Sequence, residues 1–147
     1  MEAKVHPLVI ELTSKRTPRD GLEAKFSVFH GAAVGLLYGK AGPAQYADEV
    51  VTDQTVISLR DKIDATADES LAADETYLTV HFEDGTKVEK HIQHAVGSLE
   101  VPMSDEQLTE KFVDQAALVL GKEAQQASDA AWKIGETSDI AEVLRTL

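Results

Sequence analysis

Four polar residues at the start of one predicted helix are the residues in this sequence best placed to bind an anion. Glu23, Lys25, Ser27 and His30 lie within a stretch that is otherwise mostly apolar. At about 100° per residue, Ser27 shares a helix face with Glu23 and neighbours His30. Either pair could form an anion site at a helix N-terminus, where the macrodipole favours negative charge. The alternative is that Glu23 and Lys25 are ordinary solvated residues that complement the dipole.

The loop before this helix adds positive charge. Lys15, Arg16 and Arg19 lie between Thr13 and Gly21, in a chain with 14 Lys and Arg against 26 Asp and Glu. This local reversal of charge suits a substrate rich in carboxylates, which ammonium and guanidinium groups bind through charge-assisted hydrogen bonds. A basic solvated loop that binds no ligand is the alternative interpretation.

The five histidines do not form a recognisable metal motif. They are His6, His30, His81, His91 and His94. None belongs to an HExxH motif, and the lack of cysteine excludes thiolate zinc sites and a cysteine nucleophile. The acidic run 61–75 lacks the EF-hand spacing, and the sequence contains no Walker, dinucleotide-binding or nucleophile-elbow motif. We therefore predict no metal site and no cofactor.

Length and composition are those of one globular domain. The chain has 147 residues, of which 43% are apolar and 27% charged, and its formal net charge is −12. Such a molecule repels phosphate backbones and anionic membranes, so we expect neither nucleic acid nor a membrane as a partner. The N-terminus lacks the basic-then-apolar order of a secretory signal, and no apolar stretch is long enough to span a bilayer. We expect a cytoplasmic protein.

Hydrophobic patterning predicts an α+β fold in which helices pack on a small antiparallel sheet. The clearest β signal is a hairpin over 76–94, with an Asp84-Gly85 turn between two alternating segments. The first dozen residues, which include Val5, Leu8, Val9, Ile10 and Leu12, are β-branched and apolar and predict another strand. Helices are predicted near 20–39, 53–62 and 104–120, followed by C-terminal helices over 122–134 and 138–147.

Each predicted element has an expected buried face. Helix 104–120 begins with a capping box of Ser104 and Gln107, and its expected buried stripe is Leu108, Phe112, Ala116 and Val119. In helix 20–39, the expected core-facing residues are Leu22, Phe26, Phe29, Ala33, Leu36 and Leu37. In the hairpin, they are Leu78, Val80, Phe82, Val88 and Ile92.

Several motifs, in the order of the chain, resemble one family. They are Leu-Thr-Ser-Lys-Arg-Thr-Pro-Arg-Asp-Gly-Leu-Glu-Ala-Lys-Phe-Ser at 12–27, Leu37-Tyr38-Gly39, Leu59-Arg60-Asp61-Lys62 in the helix led by Asp53, Asp84-Gly85-Thr86, Gly97-Ser98, Pro102-Met103-Ser104 and Glu110-Lys111-Phe112. Together they resemble the second, C-terminal domain of the MmgE/PrpD family, which includes 2-methylcitrate dehydratase, cis-aconitate decarboxylase and iminodisuccinate epimerase. The resemblance covers nearly the whole chain, so we expect 1–147 to be a single domain.

The resemblance implies a domain that works with a second one. Family members have a larger all-helical first domain and this smaller α+β domain, with the active site in the cleft between them. We expect the first domain, which carries most of the family's acid and base residues, to be absent from this chain, so no catalytic residue is transferred to it. We predict a chain that is inactive in isolation, in which Arg19, Lys25, Ser27 and His30 contact a small di- or tricarboxylate substrate.

The reaction that the resemblance implies is proton abstraction and elimination, without an essential metal, by a lyase or isomerase similar to 2-methylcitrate dehydratase. The expected partner is a helical N-terminal domain or a separate helical chain. A different hypothesis is a non-catalytic module, separately encoded or truncated. Such a module would bind a helical partner, or form a homodimer, through helix 20–39 and the stripe of helix 104–120. An acidic regulatory domain outside the family is the third alternative.

Overall fold

The computed structural model describes residues 1–145, and it divides the chain into one compact unit from Met1 to Val101 and a second that begins at Pro102. The first unit contains β1 (Glu2–Val5), α1 (Pro7–Thr13), α2 (Gly21–Ala24), α3 (Val28–Tyr38), a 3-10 turn (Pro43–Tyr46), α4 (Asp48–Val51), α5 (Gln54–Arg60), β2 (Asp64–Ala67), β3 (Thr76–His81) and β4 (Lys87–Ile92). The second contains α6 (Asp105–Leu120), a 3-10 turn (Gly121–Glu123), α7 (Ala124–Trp132) and α8 (Ile140–Arg145).

The predicted α+β class and the hairpin are confirmed, but the sheet is mixed rather than antiparallel. Its four strands lie in the order β2-β1-β3-β4. β3 pairs with both β1 and β4 in antiparallel register, whereas β1 pairs with β2 in parallel, Glu2 opposite Asp64. Parallel neighbours need a long crossover connection, and helices α1 to α5 supply it between β1 and β2. This pairing joins distant parts of the chain, so no local pattern indicates it.

The strand predicted over the first dozen residues is confirmed at Glu2–Val5 and wrong beyond Val5, because α1 occupies Pro7–Thr13. Pro7 stands in the first helical turn, where its missing N–H costs nothing and its fixed φ suits a helix. The Nδ1 atom of His6 accepts a hydrogen bond from the Leu8 N–H at 3.2 Å and so caps the helix. These helix-start signals outweigh the strand propensity of the β-branched residues that follow.

The helix predicted over 20–39 begins and ends as expected but is broken in the middle. The Asp20 carboxylate accepts from the Glu23 N–H at 2.8 Å, and Gly39 ends the helix with a φ of 71°. Between them, Ser27 has extended backbone angles, and its hydroxyl oxygen accepts from the His30 N–H at 3.1 Å. Ser27 therefore caps a new helix, α3, and the face it was predicted to share with Glu23 on one helix does not exist.

The core of the first unit lies between the sheet and α3 and α5. Its cluster consists of Phe29, Ala33, Val34, Val56 and Ile63. Of the residues predicted to face the core from helix 20–39, four are exposed: Leu22, Phe26, Leu36 and Leu37. In the hairpin, Phe82 and Val88 are also exposed, contrary to prediction, whereas Leu78, Val80 and Ile92 are half-buried. The helices pack against the β2 side of the sheet, so the far end of the hairpin lacks a helix above it in residues 1–101.

The second unit is a helical hairpin with little buried surface. The predicted capping box is confirmed, because Ser104 N–H donates to the Gln107 side chain at 2.9 Å and Gln107 N–H donates to the Ser104 hydroxyl at 3.3 Å. Trp132 Nε1 donates to the Thr109 hydroxyl at 2.8 Å and joins α7 to α6. The predicted burial of the stripe is wrong, since Phe112 is 40% exposed and Val119 89%. Two short helices are too few to cover it. Within residues 1–145, no helix has both the length and the apolar character required to cross a bilayer.

Replacing Gly21 by alanine tests the close packing at the start of α2. A Cβ atom at this position would collide with the backbone carbonyl oxygen of Tyr46, which cannot move aside as a flexible side chain can. We expect Gly21→Ala to lower the free energy of unfolding by about 1–3 kcal/mol, measured by urea titration with circular dichroism. Gly35→Ala is the matched control, since nothing lies within 4 Å of its added Cβ and helix propensity favours alanine. Equal midpoints for the two variants would contradict the assignment.

Candidate functional site

Glu23 lies at the centre of the basic loop and neutralises part of its charge. Its carboxylate forms ion pairs with Lys15 Nζ at 2.8 Å and Arg19 Nη2 at 2.7 Å, and it accepts from the Arg19 backbone N–H at 2.8 Å. The hydrogen bonds from Arg19, and then the one from Lys15, lower the pKa of Glu23 to about 2. Glu23 is therefore ionised at any physiological pH. The guanidinium of Arg19 still remains 83% exposed.

Arg16 serves the fold rather than a ligand. Its guanidinium donates to the Ile63 carbonyl at 3.0 Å, pairs with Asp64 at 2.7 Å and lies 4.1 Å from the centre of the Phe29 ring. These contacts fasten the loop to the beginning of β2. The Arg16 guanidinium thus binds groups of the first unit, although half of its side chain is exposed.

Lys25 lies at the corner between α2 and α3. It is exposed, and it makes no ion pair with any residue that the structure describes. Its neighbours Leu22 and Phe26 are 69% and 55% exposed. A hydrogen bond from the Lys15 N–H to the Phe26 carbonyl, at 3.1 Å, holds this corner against the loop. The corner therefore presents an ammonium group that pairs with no carboxylate of the described residues, together with two exposed apolar side chains.

Ser27 and His30, the other two predicted site residues, lie beneath this corner and not on the surface. Ser27 is 3% exposed and His30 is fully buried. The His30 Nε2 atom is 2.9 Å from the Gln45 carbonyl oxygen, which can only accept, so Nε2 carries the ring proton. The Nδ1 atom is buried without a hydrogen-bond partner among the described residues. Burial lowers the pKa of His30, and the Tyr46 ring packs edge-on at 5.0 Å.

The structure thus brings Arg19 and Lys25 to the surface and places Ser27 and His30 as their buried support. Their contact with a substrate stays a prediction. Two sizeable cavities of the first unit lie among the described residues, and the lining of neither favours a di- or tricarboxylate. One, of about 830 Å³ on the sheet, is lined by more carboxylates than cations, and the other, of about 500 Å³ between α3 and the sheet, is almost wholly apolar.

Sequence reasoning missed two carboxylate–imidazole pairs at the open end of the hairpin. His94 Nδ1 is 3.0 Å from Asp74 Oδ2, and His91 Nε2 is 2.8 Å from Glu75 Oε1. His91 also stacks on Tyr77, with ring centres 4.0 Å apart. The partners are 20 and 16 residues apart in the chain, so no spacing motif reveals them. The sequence signal that could have indicated these contacts is the register of the hairpin, in which Tyr77 lies opposite His91.

Acid should destabilise the protein through His30. Its folded-state pKa lies below the ordinary value of 6.5, because burial disfavours the imidazolium. The unfolded state then binds more protons below about pH 6.5, so the stability conferred by neutral His30 is complete above that pH and is lost as the pH falls toward the folded-state pKa. We expect urea titrations between pH 7.5 and 5 to show this loss.

The pH dependence should belong to His30 itself. In His30→Gln, the decline in stability over this range should be shallower than in the parent, whatever the variant costs at pH 7.5. His81→Gln is the matched control, because His81 is exposed on β3 and lies 3.5 Å from Glu2. A parent-like slope in His30→Gln would contradict the buried neutral imidazole.

Comparison with known families agrees with the geometry of a partly covered α+β unit. The model of the MmgE/PrpD C-terminal domain matches residues 1–134, which is most of the chain. A search of curated proteins found no significant match. The resemblance inferred from the motifs is confirmed, and the chain belongs to the MmgE/PrpD family through its C-terminal domain.

Proposed function

We propose that this chain is the C-terminal domain of a cytoplasmic MmgE/PrpD-like lyase or isomerase, similar to 2-methylcitrate dehydratase, and that it is inactive in isolation. The observation that carries the proposal is the exposed ammonium of Lys25, which pairs with no carboxylate of the described residues and lies at a basic corner of an otherwise strongly acidic family domain. A small di- or tricarboxylate is the ligand that such a corner favours.

Lys25 and Arg19 have different roles in this proposal. Lys25 binds a substrate carboxylate directly, because no carboxylate of the described chain competes for it. Arg19 shares its charge between Glu23 and the substrate, since its guanidinium is both paired and exposed. Ser27 and His30 act as positioning residues. Ser27 caps α3, which follows the corner, and His30 holds the turn at Pro43–Tyr46 through the Gln45 carbonyl.

The corner needs a second wall before it can catalyse a reaction. Proton abstraction beside a carboxylate requires a positioned base and a pocket that excludes water. Near Lys25, Glu23 is held ionised by its two cations and is too weak a base, and His30 is buried. The exposed apolar side chains of Leu22 and Phe26 support a covering surface at this point. A helical N-terminal domain, in the same protein or in a partner chain, is the proposed cover.

Reconstitution tests the proposal and the role of Lys25 together. We expect turnover of 2-methylcitrate or a related tricarboxylate only when this chain is joined to the helical domain of a family member. In that assembly, Lys25→Ala should lower kcat/KM by at least about tenfold, because a charged hydrogen bond contributes about 1.5–3 kcal/mol. Its thermal stability should not change, since Lys25 is exposed and unpaired in the described chain.

Lys87→Ala is the matched control for this experiment. Lys87 is an exposed lysine of the hairpin that pairs with Glu89 at 2.8 Å, and its removal should leave kcat/KM unchanged. Equal kinetics in Lys25→Ala and Lys87→Ala would remove Lys25 from the site. Turnover by the isolated chain would refute the need for a second wall.

A dimerisation module is the second candidate function, and the surface of α6 favours it. A groove of about 750 Å³ between α6 and α7 is lined by Leu108, Phe112 and Trp132, all of them partly exposed. If this surface pairs with a second copy, light scattering should give twice the 15.9 kDa chain mass. Phe112→Glu should then yield the monomer, whereas the adjacent Lys111→Glu, at the edge of the groove, should have a smaller effect. A monomeric parent would eliminate this candidate.

A further inference from the structure

The two strands of the hairpin bring Asp74 and His94 together just beyond their last paired residues. Thr76 lies opposite Ile92 in the register, so two residues further out Asp74 lies opposite His94. The contact follows from the register: Asp74 Oδ2 and His94 Nδ1 are 3.0 Å apart. His94 is half-buried and Asp74 is exposed. The register of the two strands brings these side chains together.

Glu100 reaches the same place through a folded loop. The segment 95–101 closes on itself with hydrogen bonds from Gly97 N–H to the Val101 carbonyl at 2.8 Å and from Val101 N–H to the Ser98 hydroxyl at 3.1 Å. One carboxylate oxygen of Glu100 thereby lies within 4.8 Å of the ligand atoms of both Asp74 and His94. Three potential ligands from two separate segments thus surround one point.

Two carboxylates meet at this point. Asp74 and Glu100 lie close together, and no Lys or Arg of the described chain forms an ion pair with either of them. A divalent cation would relieve the repulsion between them.

We propose that Asp74, His94 and Glu100 form a binding site for a divalent transition-metal ion. Carboxylate and imidazole ligands suit zinc, whose ligand atoms lie about 2.0–2.2 Å from the ion, and two atoms 3.0 Å apart can both reach it. Magnesium prefers oxygen ligands and binds less well where imidazole takes part. The ion would fasten the 95–101 loop to the end of the sheet, where the first compact unit ends.

The proposed site contradicts the prediction of no metal site, which rested on the spacing of ligand residues in the sequence. His94 and Asp74 are 20 residues apart in the chain, so no spacing motif indicates a site whose residues the hairpin brings together. The inference does not depend on the proposed enzymatic function, because none of the three ligands belongs to the basic corner at Lys25. Its role is structural, so binding of the ion is measured directly and not through turnover.

Calorimetric titration of the untagged chain with Zn²⁺ tests the proposal. We expect one ion per chain, much weaker binding of Mg²⁺, and a rise in Tm with Zn²⁺ that EDTA reverses. Glu100→Gln and His94→Gln should each weaken Zn²⁺ binding by at least about tenfold. Glu100→Gln is the sharper variant, because Glu100 is exposed and its loss should leave the fold intact.

The His81 and Glu2 pair supplies the matched control. It is an exposed imidazole–carboxylate pair of the same sheet, 3.5 Å apart, and none of the described residues adds a third ligand to it. His81→Gln should bind Zn²⁺ as the parent does. Zn²⁺ affinity that is the same in the parent and in Glu100→Gln, or a parent that binds Mg²⁺ as tightly as Zn²⁺, would overturn the proposal.

Discussion

The hydrogen bond between the buried imidazole of His30 and the Gln45 carbonyl is the interaction on which the arrangement of the basic corner depends. It holds the turn at Pro43–Tyr46 against α3, and the Tyr46 ring packs on the same imidazole. The carbonyl of Tyr46 in turn borders Gly21, at the first residue of α2. The buried His30 therefore sets the position of the start of α2, the helix that Lys25 directly follows in the chain. The constraint works only while the imidazole is neutral, because a charged ring has no counter-ion there.

Glu23 determines how the positive charge of the corner is distributed. By pairing with both Lys15 and Arg19, it orders the loop and leaves Lys25 as the unpaired cation of that corner. Without Glu23, the side chains of Lys15, Arg19 and Lys25 would all be mobile at this corner. Each of them would then lose side-chain entropy on binding an anion. The hydrogen bond behind the corner and the ion pairs of Glu23 thus both constrain the backbone segment to which the exposed Lys25 belongs.

Local signals explain which elements could be predicted from the sequence. The Asp84-Gly85 turn, the Asp53 cap and the Ser104–Gln107 box each act within a few residues, and the structure contains all three. The sequence does not indicate the break at Ser27, because the helical spacing of apolar residues continues across it. In addition, a serine that caps α3 cannot be distinguished by sequence alone from a serine inside a helix. The parallel β1–β2 pairing and the meeting of Asp74 with Glu100 depend on contacts between distant segments, which periodicity does not report.

Among the described residues, the basic corner combines exposed apolar side chains with the lack of a usable base. Leu22 and Phe26, both within three residues of Lys25, are 69% and 55% exposed. At the same corner, Glu23 is a very weak base, and His30 is buried with its ring proton engaged. In the proposed function, this surface binds the substrate through its charge and its apolar side chains, and the proton transfer belongs to a group on the surface that covers it. The chemistry of the described corner therefore supports the proposed second wall.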